Sequence, residues 1–198
     1  HILGSIQGWE MPTCVEYSLI PTVSSFDAVT GMAEAIKNIK VVGENDIRIG
    51  SVHIKVDTGL SRNGIVPRDL PDIMTYCQNS GVHVEGIMTH FSDSWTNQQL
   101  TQVQMATFLK AVKSYQSSDI KLHVANSTAV LNGIGTDLDF IRPGIGLYGV
   151  APFGQQERFQ SSNLQPIASL KCTPILVKQH CRGTSIGYGS KYKVKDEY

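Results

Sequence analysis

Short apolar stretches alternate with helix-length amphipathic stretches along most of this chain. Residues 19–24 read as a strand, and the opening Ile2-Leu3-Gly4 is itself strand-like. Over 26–40, Phe26, Val29, Met32, Ala33, Ile36 and Ile39 recur at helical spacing, which predicts a helix. Residues 51–57 give the next strand and 67–79 the next helix, stopped by Gly81. Further strands are expected at 84–90 and 121–125. Between them, 96–115 reads as a helix with Leu100, Val103, Phe108, Leu109 and Val112 on or near one face. A short helix begins at 128–131, and 140–147 brings one more strand and a loop.

Strand–helix alternation implies parallel strands joined by right-handed crossovers. An open doubly wound sheet and a closed (β/α)8 barrel of the TIM type both satisfy the pattern. No glycine-rich dinucleotide fingerprint follows a first strand, which weakens a dinucleotide-binding fold. Polar residues gather where strands end, at Asp57, His90, Asn126 and Arg142, and barrel enzymes keep their chemistry on that rim. After residue 150 the texture changes. Residues 152–165 are polar and loop-like, and 164–178 are apolar and β-branched without a helical period. Glycines at 183, 187 and 189 then punctuate strands and turns. The expected fold is α/β over 1–155, followed by the start of a β-rich domain over 156–198.

Charge narrows the partners. Lys and Arg number 17 and Asp and Glu 17, so nothing attracts the chain generally to nucleic acid or to an anionic membrane. No apolar run approaches the roughly 18 residues of a membrane span, and the first ten residues lack the basic start of a signal peptide. Cys14, Cys77, Cys172 and Cys181 form no CxxC pair, so no metal site is expected from them. A reduced cytoplasmic protein is the simpler expectation, and a disulfide framework the alternative. The abrupt ends, His1 and Tyr198, suggest an internal piece of a longer chain.

Five motifs carry candidate chemistry. In 55–64, Lys-Val-Asp-Thr-Gly-Leu-Ser-Arg-Asn-Gly, Lys55 and Asp57 share one strand face and Ile54 and Val56 the other. With the apolar face against helices, Lys55 points inward and needs a partner or neutralisation; a salt bridge to Asp57 is one solution. Thr89-His90-Phe91 closes a strand, where a histidine is either structural or catalytic. His123-Val-Ala-Asn126-Ser127 ends a strand and opens a helix, a place for capping residues or for a phosphate. In 142–149, Arg-Pro-Gly-Ile-Gly-Leu-Tyr-Gly, Gly144 and Gly146 let backbone N–H groups approach an anion, and Arg142 stands in an apolar setting that demands a specific partner. Last, Tyr188 lies between Gly187 and Gly189, an arrangement that exposes a phenol at a turn.

Taken together and in this order, the motifs resemble those of the pyridoxal-phosphate-dependent alanine racemases, from about Leu3 to Tyr192. The runs 55–64 and 142–149 are the most specific parts. The resemblance implies a partial barrel, about strands three to eight, with pyridoxal 5'-phosphate at its mouth, then a β domain, in a homodimer. It implies that Ser127, Gly144 and Ile145 bind phosphate, that Arg142 faces the pyridine nitrogen with His123 supporting it, and that Asn126 assists. Arg62 resembles the arginine near the substrate carboxylate, and Lys55 a lysine often carbamylated. Tyr188 resembles a catalytic base acting in the partner subunit's site, with His90 in its hydrogen-bonding network. The implied reaction interconverts L- and D-alanine and supplies D-alanine for bacterial peptidoglycan. The family's second base, the lysine that holds the cofactor covalently, sits in a Lys-Ala-Asp-Ala-Tyr-Gly-type motif that does not occur here; Lys37 and Lys40 do not match it. The 198-residue chain alone is therefore expected to be inactive. A racemase of serine or a basic amino acid, and a non-enzymatic cofactor-binding barrel, are the alternatives.

Overall fold

The computed structural model describes residues 1–38, 50–116, 119–150 and 164–195. They fall into two compact units, His1–Ile167 and Ala168–Tyr198. The expected domain boundary at 155/156 and the end of the helix predicted to Lys40 lie outside the described residues.

The first unit is a six-stranded parallel sheet with its helices. The strands are β1 (Ile2–Ser5), β2 (Pro21–Val23), β3 (Ser51–Lys55), β4 (His83–Met88), β5 (Lys121–Asn126) and β6 (Phe140–Arg142). Their order in the sheet is the order in the chain, and every pairing is parallel. A doubly wound sheet reverses its strand order partway. A barrel does not, and the six strands form a half-barrel. The helices are α1 (Met11–Glu16), α2 (Phe26–Asn38), α3 (Leu70–Ser80), α4 (Gln98–Val112) and α5 (Ser127–Leu131).

The core lies between helices and sheet. Val52, Ile54, Val56, Ile87 and Val124 from the strands join Val29, Met32, Ile73, Phe108 and Val112 from the helices, all fully buried. Each such side chain contributes about 1.5–3 kcal/mol by leaving water. Local signals fix the ends of the helices. Ser25 Oγ accepts from Ala28 N–H at the start of α2, Asn97 Oδ1 accepts from Leu100 N–H at the start of α4, and Gly81 ends α3 at φ 73°.

The structure corrects three expectations. The helix expected at 96–115 forms as α4 and a 3-10 turn, Lys113–Tyr115, but its buried face runs through Thr101, Gln104, Phe108 and Val112. Leu100 and Val103 are exposed. Polar residues are drawn inside because they hold the loop after β4: Gln104 Oε1 accepts from Ser92 N–H, and Thr101 Oγ1 donates to the Asp93 carbonyl. Secondly, α1 and the 3-10 turn before it, Gly8–Glu10, were not foreseen, being too short to show a period. Thirdly, the apolar, β-branched stretch 164–178 forms no strand: among the described residues Ile167 N–H donates to the Tyr148 carbonyl, but no ladder of paired residues develops from that bond. Among the described residues of the second unit, β7 (Ser185–Ile186) and β8 (Tyr192–Lys193) pair, antiparallel.

Among the described residues no helix is long and apolar enough to cross a membrane. All four cysteines are free.

Candidate functional site

The C-terminal ends of β3 to β6 bring Lys55, His90, Asn126 and Arg142 to one rim of the sheet. A cavity of about 360 Å³ opens there, lined by Leu3, His90, Trp95, Ser127, Arg142 and Ile145 among others. Its lining has one guanidinium, no carboxylate, and broad apolar surface. That combination suits a partly apolar molecule bearing negative charge.

Arg142 is the best-anchored group. Its Nη1 meets His123 Nδ1 at 2.6 Å, and its Nη2 donates to the Thr89 carbonyl at 2.6 Å and the Val124 carbonyl at 3.1 Å. Its Nε is buried and has no partner. Burial lowers its pKa to about 10, still far above neutrality. Arg142 therefore presents a fixed cation whose Nε–H is buried and unused. The same burial, with Arg142 nearby, drives His123 down to about 3. His90 falls to about 4, chiefly through burial and then through Arg142, Lys55 and Arg62. Both rings are neutral at physiological pH.

Beside this cation Ser127 is tied to the turn that follows β6. Ser127 Oγ accepts from Gly144 N–H at 2.8 Å and Gly146 N–H at 3.1 Å. With both lone pairs engaged, the hydroxyl has only its proton to offer. Ile145 opens a 3-10 turn, Ile145–Tyr148, so its N–H has no acceptor within that turn. A Cβ at Gly146 would stand 3.4 Å from Ser127 Cβ and Oγ, in van der Waals contact with the hydroxyl group. Asn126 is a capping residue: its Oδ1 accepts from Ala129 N–H and from Ser94 Oγ.

Lys55 is buried and points inward, as its strand face requires. Its Nζ donates to Asn63 Oδ1 rather than to an acid, and among the described residues no carboxylate is within ion-pair distance. Asp57 is engaged elsewhere, its Oδ1 accepting from the N–H groups of Gly59, Leu60 and Ser61. That bond set shapes the loop to exposed Arg62. Burial, and then the Arg62 and Arg142 charges, lower the Lys55 pKa. In the second unit Tyr188 is fully exposed, in the turn between β7 and β8, with Gly187 at φ 71° and Gly189 at φ 73°.

Residues 1–152 match the model of the alanine racemase N-terminal domain. The chain belongs to this family. The alanine racemase of Desulforamulus reducens is 33% identical over 99% of the chain, which spans 52% of that relative. Among solved structures, the Clostridium difficile 630 alanine racemase matches 98% of the chain, and 50% of its own, at TM-score 0.79 and 26% identity. The Bacillus anthracis alanine racemase, solved with bound L-Ala-P, does so over the same shares at TM-score 0.76 and 28% identity. The chain thus spans about half the length of the family members it matches.

Residues of the family's barrel half thus supply the cavity. The structure unites His90, His123, Asn126, Ser127, Arg142, Gly144 and Ile145 around it or directly behind it. Lys55 and Arg62 sit on the neighbouring strand and loop. Sequence reasoning missed Asn63, the Thr89 and Val124 carbonyls, and His53. Only His53 had a legible signal, standing two residues before Lys55 on the same face of β3.

Proposed function

We propose that the protein to which this chain belongs is a pyridoxal-phosphate-dependent alanine racemase, working as a cytoplasmic homodimer and supplying D-alanine for peptidoglycan. The observation that carries the reading is the pairing of Arg142, anchored by three hydrogen bonds and with Nε unused, with a Ser127 hydroxyl that accepts from two glycine N–H groups and has its proton left to donate. The residues fit the cofactor: a buried donor lacks a partner, and the Ser127 hydroxyl has only a proton to give. Ser127, Gly144 and Ile145 would hold its phosphate, with Asn126 keeping Ser127 in place. Arg142, backed by His123, would face the pyridine nitrogen.

When bound, the cofactor supplies an electron-accepting ring that acidifies the α-C–H of the amino acid. A permanent cation at the ring nitrogen disfavours protonation there, which restrains that electron withdrawal and suits racemisation over side reactions. Arg62 orients the substrate carboxylate. Lys55, as the ammonium or as a carbamate, sets the position of that loop, and a carbamate would give Arg62 an anionic partner. Tyr188 exchanges a proton at its phenolic oxygen from one face of the substrate, in the partner subunit's site, with His90 as a neutral hydrogen-bonding member of that network. A tyrosine needs cationic surroundings to act as a base near neutrality, and in this reading the partner subunit's site would supply them. The barrel domain over 1–155 and the β domain from 156 are part of the same reading.

The full-length protein, loaded with pyridoxal phosphate, is expected to racemise L-alanine faster than L-serine or L-lysine, followed by circular dichroism. A preference for serine or lysine would move the substrate assignment to a sibling racemase. No turnover of any amino acid would favour a cofactor-binding regulator.

A further inference from the structure

Behind Arg142 the hydrogen bonding does not stop at His123. On β3, His53 reaches across β4 so that its Nδ1 lies 2.7 Å from His123 Nε2 on β5. Both rings are about 1% exposed. The reach is possible because the β4 residue between them is Gly86. A Cβ there would stand 2.5 Å from His53 Nδ1 and Cε1. Beyond His53, its Nε2 lies 3.9 Å from Glu85 Oε1.

Proton positions along this chain are determined. A guanidinium only donates, so His123 Nδ1, 2.6 Å from Arg142 Nη1, is a lone pair. The neutral ring then carries its proton on Nε2 and donates to His53 Nδ1. His53 must in turn be protonated on Nε2, toward the Glu85 carboxylate. Both hydrogen bonds, Arg142 to His123 and His123 to His53, point away from Arg142, and each ring must be neutral for the chain to hold. Burial favours that state, holding His53 at about 4 and His123 at about 3.

We infer that His53, seated in the gap left by Gly86, is a positioning residue that fixes the tautomer of His123 and through it the orientation and full charge of Arg142. Its bearing on catalysis rests on the functional reading above, in which Arg142 faces the cofactor ring. The geometry also disfavours a metal site at His1, His53 and His123, whose ring nitrogens lie within 4.8 Å of one another. His123 cannot keep a lone pair on Nδ1 for Arg142 and offer another on Nε2 while neutral. A cation would also meet the guanidinium directly behind it.

Histidine 15N NMR of the full-length protein at neutral pH reads the tautomers directly. His123 and His53 are expected as Nε2–H forms; an Nδ1–H tautomer or an imidazolium at His123 would overturn the inference. In the cofactor-loaded enzyme, His53→Leu is expected to lower kcat about tenfold while KM for alanine changes by less than about threefold. Asn places an amide oxygen near the Nδ1 position, so His53→Asn is expected to recover most of that loss. Gly86→Ala, which displaces the His53 ring, is expected to repeat it. Racemisation by the wild type with no effect of His53→Leu on kcat or on the His123 spectrum would remove the role of His53 and leave the functional reading standing. The expected tautomers in a wild type that racemises nothing would do the reverse.

Discussion

Single residues at this site are held by unusual electrostatics. His53, His90 and His123 are pushed down to about 4, 4 and 3, mainly by burial. In the unfolded chain a histidine titrates near 6.5, so the unfolded state binds more protons below that pH. The histidine contribution to stability is complete above about pH 6.5 and is lost as pH falls toward 4 and below. Urea titrations at pH 7.5, 6 and 5 are expected to show falling stability in that order. A flat profile would mean that these rings are charged or exposed. Tyr188 belongs to the same scale. Tyr188→Phe in the full-length enzyme is expected to cut proton transfer from one enantiomer of alanine far more than from the other, with cofactor absorbance unchanged. Loss of the absorbance instead would make Tyr188 structural. Lys55 and Arg142 were legible in the sequence because a cation amid apolar residues demands a partner. Their partners were not. Asn63 looks like any loop residue, and the His53–His123 pair spans 70 positions, so it becomes visible only once the strands are in register.

At the scale of elements, periodicity located β2 to β6 and α2 to α4 because each buries one face or both. It failed where polar side chains took the buried face of α4, since Gln104 and Thr101 fold inward to hold the loop that carries Trp95. Over 164–178 apolar and β-branched residues without a helical period pointed to a β-rich domain, yet no strand forms along that stretch. A β-pattern describes a surface that wants a partner, and pairing decides whether a strand forms. Close approach between elements was invisible as well. Gly31 on α2 crosses Gly8 so tightly that a Cβ would lie 2.6 Å from the Gly8 Cα. Gly31→Ala is expected to cost about 1–3 kcal/mol, because backbone must move to admit the methyl. Thermal unfolding would measure this, and an unchanged or raised Tm would mean that α2 and the Gly8–Glu10 turn separate freely.

For the whole molecule, the decisive fact is strand order. Alternation of strands and helices left a doubly wound sheet and a barrel equally open. The sequential order β1 to β6 selects the barrel, and with it a single rim for the chemistry. The same rim gathers Arg142, Ser127, Gly144 and Ile145 from β5, β6 and the segments that follow them. In the proposed function this rim seats pyridoxal phosphate in one orientation. A crystal structure of the full-length protein with pyridoxal phosphate tests it most directly. The phosphate is expected within hydrogen-bond distance of Ser127 Oγ and the N–H groups of Gly144 and Ile145, with Arg142 facing the ring nitrogen. A cofactor bound away from this rim, or one whose ring nitrogen faces a carboxylate, would contradict it.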